Sequence, residues 1–420
     1  MRAKLPPSRI ENPRLAPSGT LKIAWADRHM PVLRRAADGI AERGSLRGLR
    51  VGISVHLEAK TACLAIALQR AGAEVAVTGS NPLSTQDDVC AGLAEAGPGV
   101  YAWHNPMPED YQDCLRTVVA TQPDVMLDDG GDLSVIAHND FPETVANLRG
   151  GTEETTTGIH RLKAMAAEGL LGYPMVAGND ARMKYLFDNQ HGIGQASLDG
   201  IMRTTNLLLA GKQIAIFGYG WGGRGLARRA HGLGARVIVC EVDPVKATEA
   251  LLDGCEVMPA MEAAARADVF ITCTGCAGVL SREHFLVMKD GALLSNTGHF
   301  DVEVDVAGLR ELARQRRPAR ANVEEYVLPN GRSVFLIAEG RLVNLAAADG
   351  HPVEIMDTTF ALQALALEYV AVHGHELPHD VVPVPADLDE AVARVRLEAL
   401  GVRIDSLTPE QVRYLRSWQP

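Results

Sequence analysis

The chain lacks the features that would place it outside the cell, in a membrane or on a nucleic acid. Its seven cysteines, at positions 63, 90, 114, 240, 255, 273 and 276, are odd in number and follow no regular spacing. They form no disulfide framework, so a reducing, cytoplasmic setting is expected. The opening MRAKLPPSRIENPRL has no apolar core of signal-peptide length. No apolar run is read as approaching the roughly 18–20 residues of a membrane span. Lysine and arginine number 41 against 52 aspartates and glutamates, leaving a net charge of −11. A nucleic-acid partner is therefore not expected, because it needs a basic patch to displace condensed counterions. A small anion is still allowed, since backbone amides at a helix end bind one whatever the net charge. Internal repeats and low-complexity tracts are missing as well.

What remains is an ordinary globular composition, 47% hydrophobic over 420 residues, long enough for two domains with separate cores. The first twenty residues, rich in proline and basic side chains, read as an arm or loop, and residues 23–44 carry a helical pattern. A buried strand is expected at 49–55, then an amphipathic helix to about residue 71. Further strands are expected at Glu74–Thr78 and at 123–127, the latter ending in Asp128, Asp129 and Asp132. A second α/β unit begins near residue 190. It comprises a helix over 197–209, a strand at Gln213–Phe217, a glycine-rich turn, a helix to about 233 and a strand at Arg236–Cys240. Strands at 268–272 and 292–295 follow. Strands alternating with helices predict mostly parallel sheets covered on both faces. Beyond residue 376 a proline- and acid-rich stretch leads into a helix-forming tail.

Four groups of residues carry chemistry. Gly218-Tyr-Gly220-Trp-Gly-Gly223 follows a strand and opens a helix, and Glu241 ends the next strand. Such glycine patterns arise by chance, but this context is that of a dinucleotide site. Gly218 permits the turn, Gly220 lets backbone approach a pyrophosphate, and Gly223 allows close helix packing. Glu241 is placed to accept from a ribose diol and repels a 2′-phosphate. NAD is the expected cofactor. Lys184 and Asp188 stand at i, i+4 spacing, which puts both on one face of a helix. The bland reading is a surface ion pair; the functional one is a lysine that takes a sugar hydroxyl proton beside a carboxylate. Asp128-Asp-Gly-Gly-Asp132 and Glu153-Glu-Thr-Thr-Thr-Gly158 lie where ligands collect in open parallel sheets, at strand carboxyl ends. No accompanying histidine spacing resembles a metal-ligand set, so no metal is expected. Each of His56, His299 and His351 adjoins a strand end or glycine turn, where a neutral imidazole can move protons. Cys273-Thr-Gly-Cys276 matches CxxC but lies within the cofactor unit and reads as incidental.

From about His56 to the C-terminus the chain resembles S-adenosylhomocysteine hydrolase. The motifs SNPLSTQDD, LDDGGDL, EETTTGIHRL, KYLFDN, GYGWGGRG, CTGC, NTGHFDVEVD and AEGRLVNLAAADGHP carry the resemblance. The spacing and short tail resemble the archaeal and thermophile branch. The resemblance implies two doubly wound parallel-sheet α/β domains, the second a Rossmann NAD-binding domain, plus a short helical tail. Residues 1–185 with 345–375 would form the substrate domain, 186–344 the NAD domain and 376–420 the tail, in a homotetramer or homodimer. It also implies a reaction: oxidation at C3′ of a nucleoside thioether, loss of the acidified C4′ proton, elimination of homocysteine, addition of water and re-reduction. By the same resemblance Lys184 and Asp188 serve the 3′ oxidation, Asp129 is the base at C4′, and His56 handles protons at C5′. Glu154 would hold the sugar hydroxyls, His299 would lie at the sugar and cofactor, and His351 near the base and the closing hinge. Thr155, Thr156, Thr157, Asn189, Thr274, Asn296 and Asn344 match cofactor-contacting positions.

The chain departs from the better-known branch at the purine. After His56 it reads Leu-Glu58-Ala-Lys60-Thr61, where that branch has a threonine at the position of Glu58 and a glutamate at that of Lys60. A glutamate accepts from an adenine amino group, whereas Lys60 can only donate, which suits a 6-oxo purine. Glu58, Lys60 and Thr61 are thus the expected base-side residues, and an inosyl substrate stands beside an adenosyl one. Ile193, Leu362 and the segment WHNPMPEDY also depart from the usual pattern. Two rivals are kept: a 3′-keto nucleoside epimerase or dehydratase that leaves the thioether intact, and a non-catalytic NAD-binding regulator.

Overall fold

Two apolar runs, Arg50–Ser54 and Gln213–Phe217, are buried almost throughout rather than on alternate residues. That is the pattern of strands covered on both faces, and each run lies inside its own sheet. The computed structural model describes residues 3–418. The first sheet has seven strands, all parallel. Their order is Val381–Pro383, Met175–Ala177, Gly150–Glu153, Val125–Asp128, Arg50–Ser54, Glu74–Thr78 and Gly99–Val100. The second has eight, in the order Gln315–Arg320, Val323–Val327, Ser333–Ile337, Ala292–Asn296, Val269–Thr272, Gln213–Phe217, Arg236–Cys240 and Glu256–Val257. Its first three strands form an antiparallel meander, and its other ladders are parallel. The expected α/β class with two parallel-dominated sheets is thus present, with the meander an addition.

Several local expectations change. The first twenty residues are no free arm: the Ala16–Arg28 helix starts inside them and buries Ala16 and Gly19. It lies so close to the Asp87–Ala96 helix that a Cβ on Gly19 would stand 1.7 Å from the Asp88 carbonyl oxygen. The helical pattern at 23–44 is two helices, Ala16–Arg28 and Pro31–Arg43, because Pro31 has no N–H and starts a new one. The segment after 376 is not purely helical: Val381–Pro383 joins the edge of the first sheet beside Met175–Ala177. Contrary to the expectation that no apolar run approaches a membrane span, Val353–Glu376 is long and apolar enough to cross one by length and composition alone. Here that helix is mostly buried, with Phe360, Leu362, Leu367 and Val370 in the interior.

The strands deliver the candidate residues at their carboxyl ends. His56 follows Arg50–Ser54, Asp129 follows Val125–Asp128, Glu154 follows Gly150–Glu153 and Asn179 follows Met175–Ala177. In the second sheet Gly218 follows Gln213–Phe217, Glu241 follows Arg236–Cys240 and Thr274 follows Val269–Thr272.

Candidate active site

At the first sheet the chain gathers His56, Asp129 and His299, whose ligating atoms lie within 4.8 Å of one another. Asp129 is 2% exposed. Its Oδ2 accepts from the Ser80 hydroxyl at 2.8 Å and faces His56 Nε2 at 3.4 Å. Its Oδ1 is buried without a hydrogen-bond partner, with His299 Nδ1 3.7 Å away. Burial opposes charge on this carboxyl, but His56, His299, the Ser80 hydroxyl and Lys184 outweigh it and hold Asp129 below the usual carboxylate range. Burial pushes His56 down to about 4, against the pull of Asp129. At neutral pH the pair is therefore an ionised Asp129 and a neutral His56. The ionised Asp129 favours Nε2–H on His56, whose Nδ1 meets Ser84 Oγ at 2.7 Å, a hydroxyl that also reaches the Asn81 carbonyl at 3.1 Å. Thr61 donates to the His56 carbonyl at 2.6 Å and fixes its turn.

Around Asp129 lie three more buried acids. Burial, with the charge of Asp129 close by, raises Glu154 well above its usual range, and its Oε2 has no partner. Burial and the neighbouring Asp128 raise Glu153 likewise. Asp128, tied to Ser134, is pushed up to about 6 by burial. Burial thus favours the protonated form of Glu154, which can donate as well as accept.

The bland reading of Lys184 and Asp188 fails, because they are 5% and 1% exposed. Lys184 Nζ lies 3.2 Å from Asp188 Oδ2 and donates to Asn179 Oδ1 at 3.1 Å and Asn189 Oδ1 at 2.7 Å. The segment is not a regular α-helix: after Arg182–Lys184 the chain winds as a π-helix over Tyr185–Gly192. The wider turn brings the i+5 residue Asn189 onto Lys184 as well as the i+4 residue Asp188. Asp188 also binds His351 Nδ1, whose Nε2 meets Asn344 Nδ2 at 2.8 Å. Burial alone would raise Asp188; Lys184 and His351 hold it well below the usual range. His351 thus joins the lysine network as well as lining the cavity beside the expected base.

That cavity, of about 510 Å³, is lined by Trp25, Glu58, Lys60, Gln86, Asp349 and His351 among others. Lys60 Nζ pairs with Glu58 Oε2 at 2.7 Å and donates to the Asp349 carbonyl at 2.8 Å.

The second sheet presents the glycine turn as expected. Gly218 has φ +95°, and a Cβ on Gly223 would stand 2.0 Å from the Gly218 carbonyl oxygen, so neither position takes a side chain. In front of Gly220 a Cβ would meet nothing within 4 Å. The Trp221–Gly232 helix opens with no side-chain cap, leaving its first N–H groups for an anion. Glu241 accepts from the Tyr219, Val242 and Asp243 amides, which hold it ionised against partial burial. Asn344 Oδ1 is buried without a partner. An open cradle, free helix amides and an anchored carboxylate fit a dinucleotide.

Other predicted contacts are engaged within the chain. Asn296 Nδ2 is bonded to the carbonyls of Gly298, Phe300 and Gly340, so it shapes the loop carrying His299. Thr274 is tied to buried Glu303 through both its amide and its hydroxyl. Thr155 caps the Thr156–Ala167 helix and donates to Glu153; Thr156 accepts from Asn179, and Thr157 is half-buried. Cys273 packs beneath the glycine turn, with burial pushing its thiol up to about 12, while Cys276 is exposed. Four working residues were not singled out from sequence: Ser80, Ser84, Asn179 and Glu303. The first two stand in the SNPLSTQDD motif and Glu303 in NTGHFDVEVD; nothing local marks Asn179.

Comparison with known proteins agrees with both halves. Residues 8–141 match the family model described as S-adenosyl-L-homocysteine hydrolase, and residues 189–350 match its NAD binding domain. The adenosylhomocysteinase of Thermotoga maritima is 54% identical over 402 residues, 96% of this chain and 100% of that protein. The S-inosyl-L-homocysteine hydrolase of Methanopyrus kandleri is 52% identical over 411 residues, 98% of this chain and 97% of that protein. The adenosylhomocysteinase of Sulfurisphaera tokodaii is 48% identical over 411 residues, 98% of this chain and 99% of that protein. With matches of that depth across nearly its whole length, the chain belongs to the S-adenosyl-L-homocysteine hydrolase family.

Proposed function

We propose that the chain reversibly hydrolyses a nucleoside thioether, S-adenosyl- or S-inosyl-homocysteine, to the nucleoside and homocysteine, with NAD as its resident cofactor. The observation that carries the reading is the meeting of two proton-handling groups in one buried place: Asp129 with His56 and His299, and Lys184 with Asp188. NAD would be held by the Gly218–Gly223 turn, the uncapped Trp221–Gly232 helix and Glu241, and would supply hydride acceptance and return at the sugar's 3′ carbon. Lys184, in its uncharged amine form, takes the 3′-hydroxyl proton, and Asp188 and the two asparagine carbonyls stabilise the ammonium that results. The free Oδ1 of Asp129 takes the C4′ proton once a ketone has acidified it. The proton that Asp129 has taken passes through His56, 3.4 Å away, to the departing thiolate, and His56 later takes one from the entering water. Glu154, whose proton burial helps to retain, binds the sugar hydroxyls.

The Glu58–Lys60 pair supports an inosyl base. An ammonium has three protons; Glu58 and Asp349 engage two, leaving one for a 6-oxo group. We place the substrate domain at 1–185 with 345–375, the NAD domain at 186–344 and the tail at 376–420. Val381–Pro383 returns from the tail to the first sheet. Exposed Leu407, Tyr414, Leu415 and Trp418 at the chain's end support assembly as a homotetramer or homodimer, and seven free cysteines support a cytoplasmic setting. Incubating the purified protein with each thioether, without added cofactor, tests the activity by thiol release. No thiol from either nucleoside sinks it.

A further inference from the structure

One charged pair beside the catalytic turn has no part in the chemistry above. Asp132 opens the Asp132–Asp140 helix immediately after the Asp129-Gly130-Gly131 turn. Arg161, on the Thr156–Ala167 helix, donates from Nη1 to Asp132 Oδ1 at 2.7 Å and to the Gly130 carbonyl. Its guanidinium carbon lies 5.6 Å from the centre of the Phe300 ring, which meets His299 edge-on at 4.7 Å. On the other side of Gly130 stands His299, so close that a Cβ there would be 2.2 Å from Nε2. Gly130 thus meets both the pair, through its carbonyl, and His299 of the cluster at Asp129.

The pair differs from its surroundings in being partly open. The side chains of Arg161 and Asp132 are 32% and 25% exposed, against 2% for Asp129. Arg161 Nε and Nη2 make no hydrogen bond among the described residues, and Asp132 Oδ2 has only the Tyr111 hydroxyl, at 3.2 Å. A thioether whose sulfur sits by His56 carries, a few bonds further on, an α-carboxylate and an α-ammonium. A neutral pair of one guanidinium and one carboxylate, with unused donors on the first, complements such a zwitterion. The planar fork of arginine suits a carboxylate in particular.

We infer that Arg161 and Asp132 bind the amino-acid end of the substrate, Arg161 on the α-carboxylate and Asp132 on the α-ammonium, and so select homocysteine among thiols. This rests on the hydrolase reading. The alternative is a pair that only pins the Gly130 turn.

The test compares three thioethers of the nucleoside that the intact holoenzyme turns over best: the homocysteine compound, its analogue lacking the carboxyl, and its analogue lacking the amino group. Thiol release gives kcat/KM for each. Arg161→Met lowers the ratio of the homocysteine compound over the decarboxylated analogue about 10- to 100-fold, the worth of one charge-assisted hydrogen bond. Arg161→Lys keeps the charge but loses the fork, and so retains a ratio between those of wild type and Arg161→Met. Asp132→Asn lowers instead the ratio over the deaminated analogue. Variants that depress all three substrates together, or leave both ratios unchanged, overturn the inference; Arg161→Lys and Asp132→Asn decide it should Arg161→Met not fold. Wild-type protein that releases thiol from none of the three overturns the hydrolase reading itself.

Discussion

Replacing Asp188 by Asn keeps the side chain's shape and removes its charge, which makes it a direct probe of the lysine network. Asp188 is 1% exposed, and Lys184 is its buried partner at 3.2 Å. Removing one member of such a pair strands the other charge, at about 3–5 kcal/mol. Lys184 is not left bare, because the Asn179 and Asn189 carbonyls still accept from it at 3.1 and 2.7 Å. Two neutral acceptors recover part of the loss, about 1 kcal/mol each. What remains is roughly 1–3 kcal/mol, and it falls on the state in which Lys184 has just taken a proton. At about 1.4 kcal/mol per decade, the 3′ oxidation slows roughly 10- to 100-fold. Rapid mixing of the holoenzyme with nucleoside, followed through the absorbance of the reduced nicotinamide, isolates that step from elimination and release. Asn variants of exposed aspartates provide the baseline. Oxidation by Asp188→Asn within threefold of the wild-type rate would refute the reasoning, since the carboxylate would then not be stabilising the ammonium.

Three further expectations follow from the same geometry. Gly223→Ala places a Cβ about 2.0 Å from the Gly218 carbonyl oxygen, so the turn must open, and the variant is expected to purify without NAD; a full cofactor complement released on denaturation would contradict this. Lys60→Gln replaces a pure donor by a group that also accepts, and the preference for inosyl over adenosyl thioether is expected to fall about tenfold or more in kcat/KM; an unchanged preference removes Lys60 from base recognition. His56 falls from the ordinary 6.5 to about 4 in the fold, so the unfolded chain takes up the proton first and stability declines as pH drops through that window. The effect is on the order of 3 kcal/mol. Asp128 and Asp357, both raised to about 6, work in the opposite sense, gaining stability as pH falls. Denaturant unfolding of wild type and His56→Gln at pH 7 and pH 4.5 therefore isolates His56 by difference; equal losses in the two proteins would show that it does not titrate this way.

Sequence by itself determined what depends on local chemistry. Strands such as Glu74–Thr78, Gln213–Phe217 and Arg236–Cys240 were legible to the residue, because a short apolar run bounded by turn residues has few other uses. The glycine turn and Glu241 were legible because a tight turn, a helix start and a strand end fall within 24 residues. Short or atypical strands were not: Gly150–Glu153 opens with two glycines, and Gln315–Arg320 is exposed throughout. Only the tertiary structure decided whether Lys184 and Asp188 were a surface pair or a buried one. Their spacing is the same in both cases. The difference is desolvation, and water is excluded by elements remote in sequence. His351 reaches Asp188 across 163 residues, and His299 reaches Asp129 from the loop that Asn296 shapes. A side chain's charge and proton affinity are set by what surrounds it in space, so the roles of these groups took form only when the chain returned on itself.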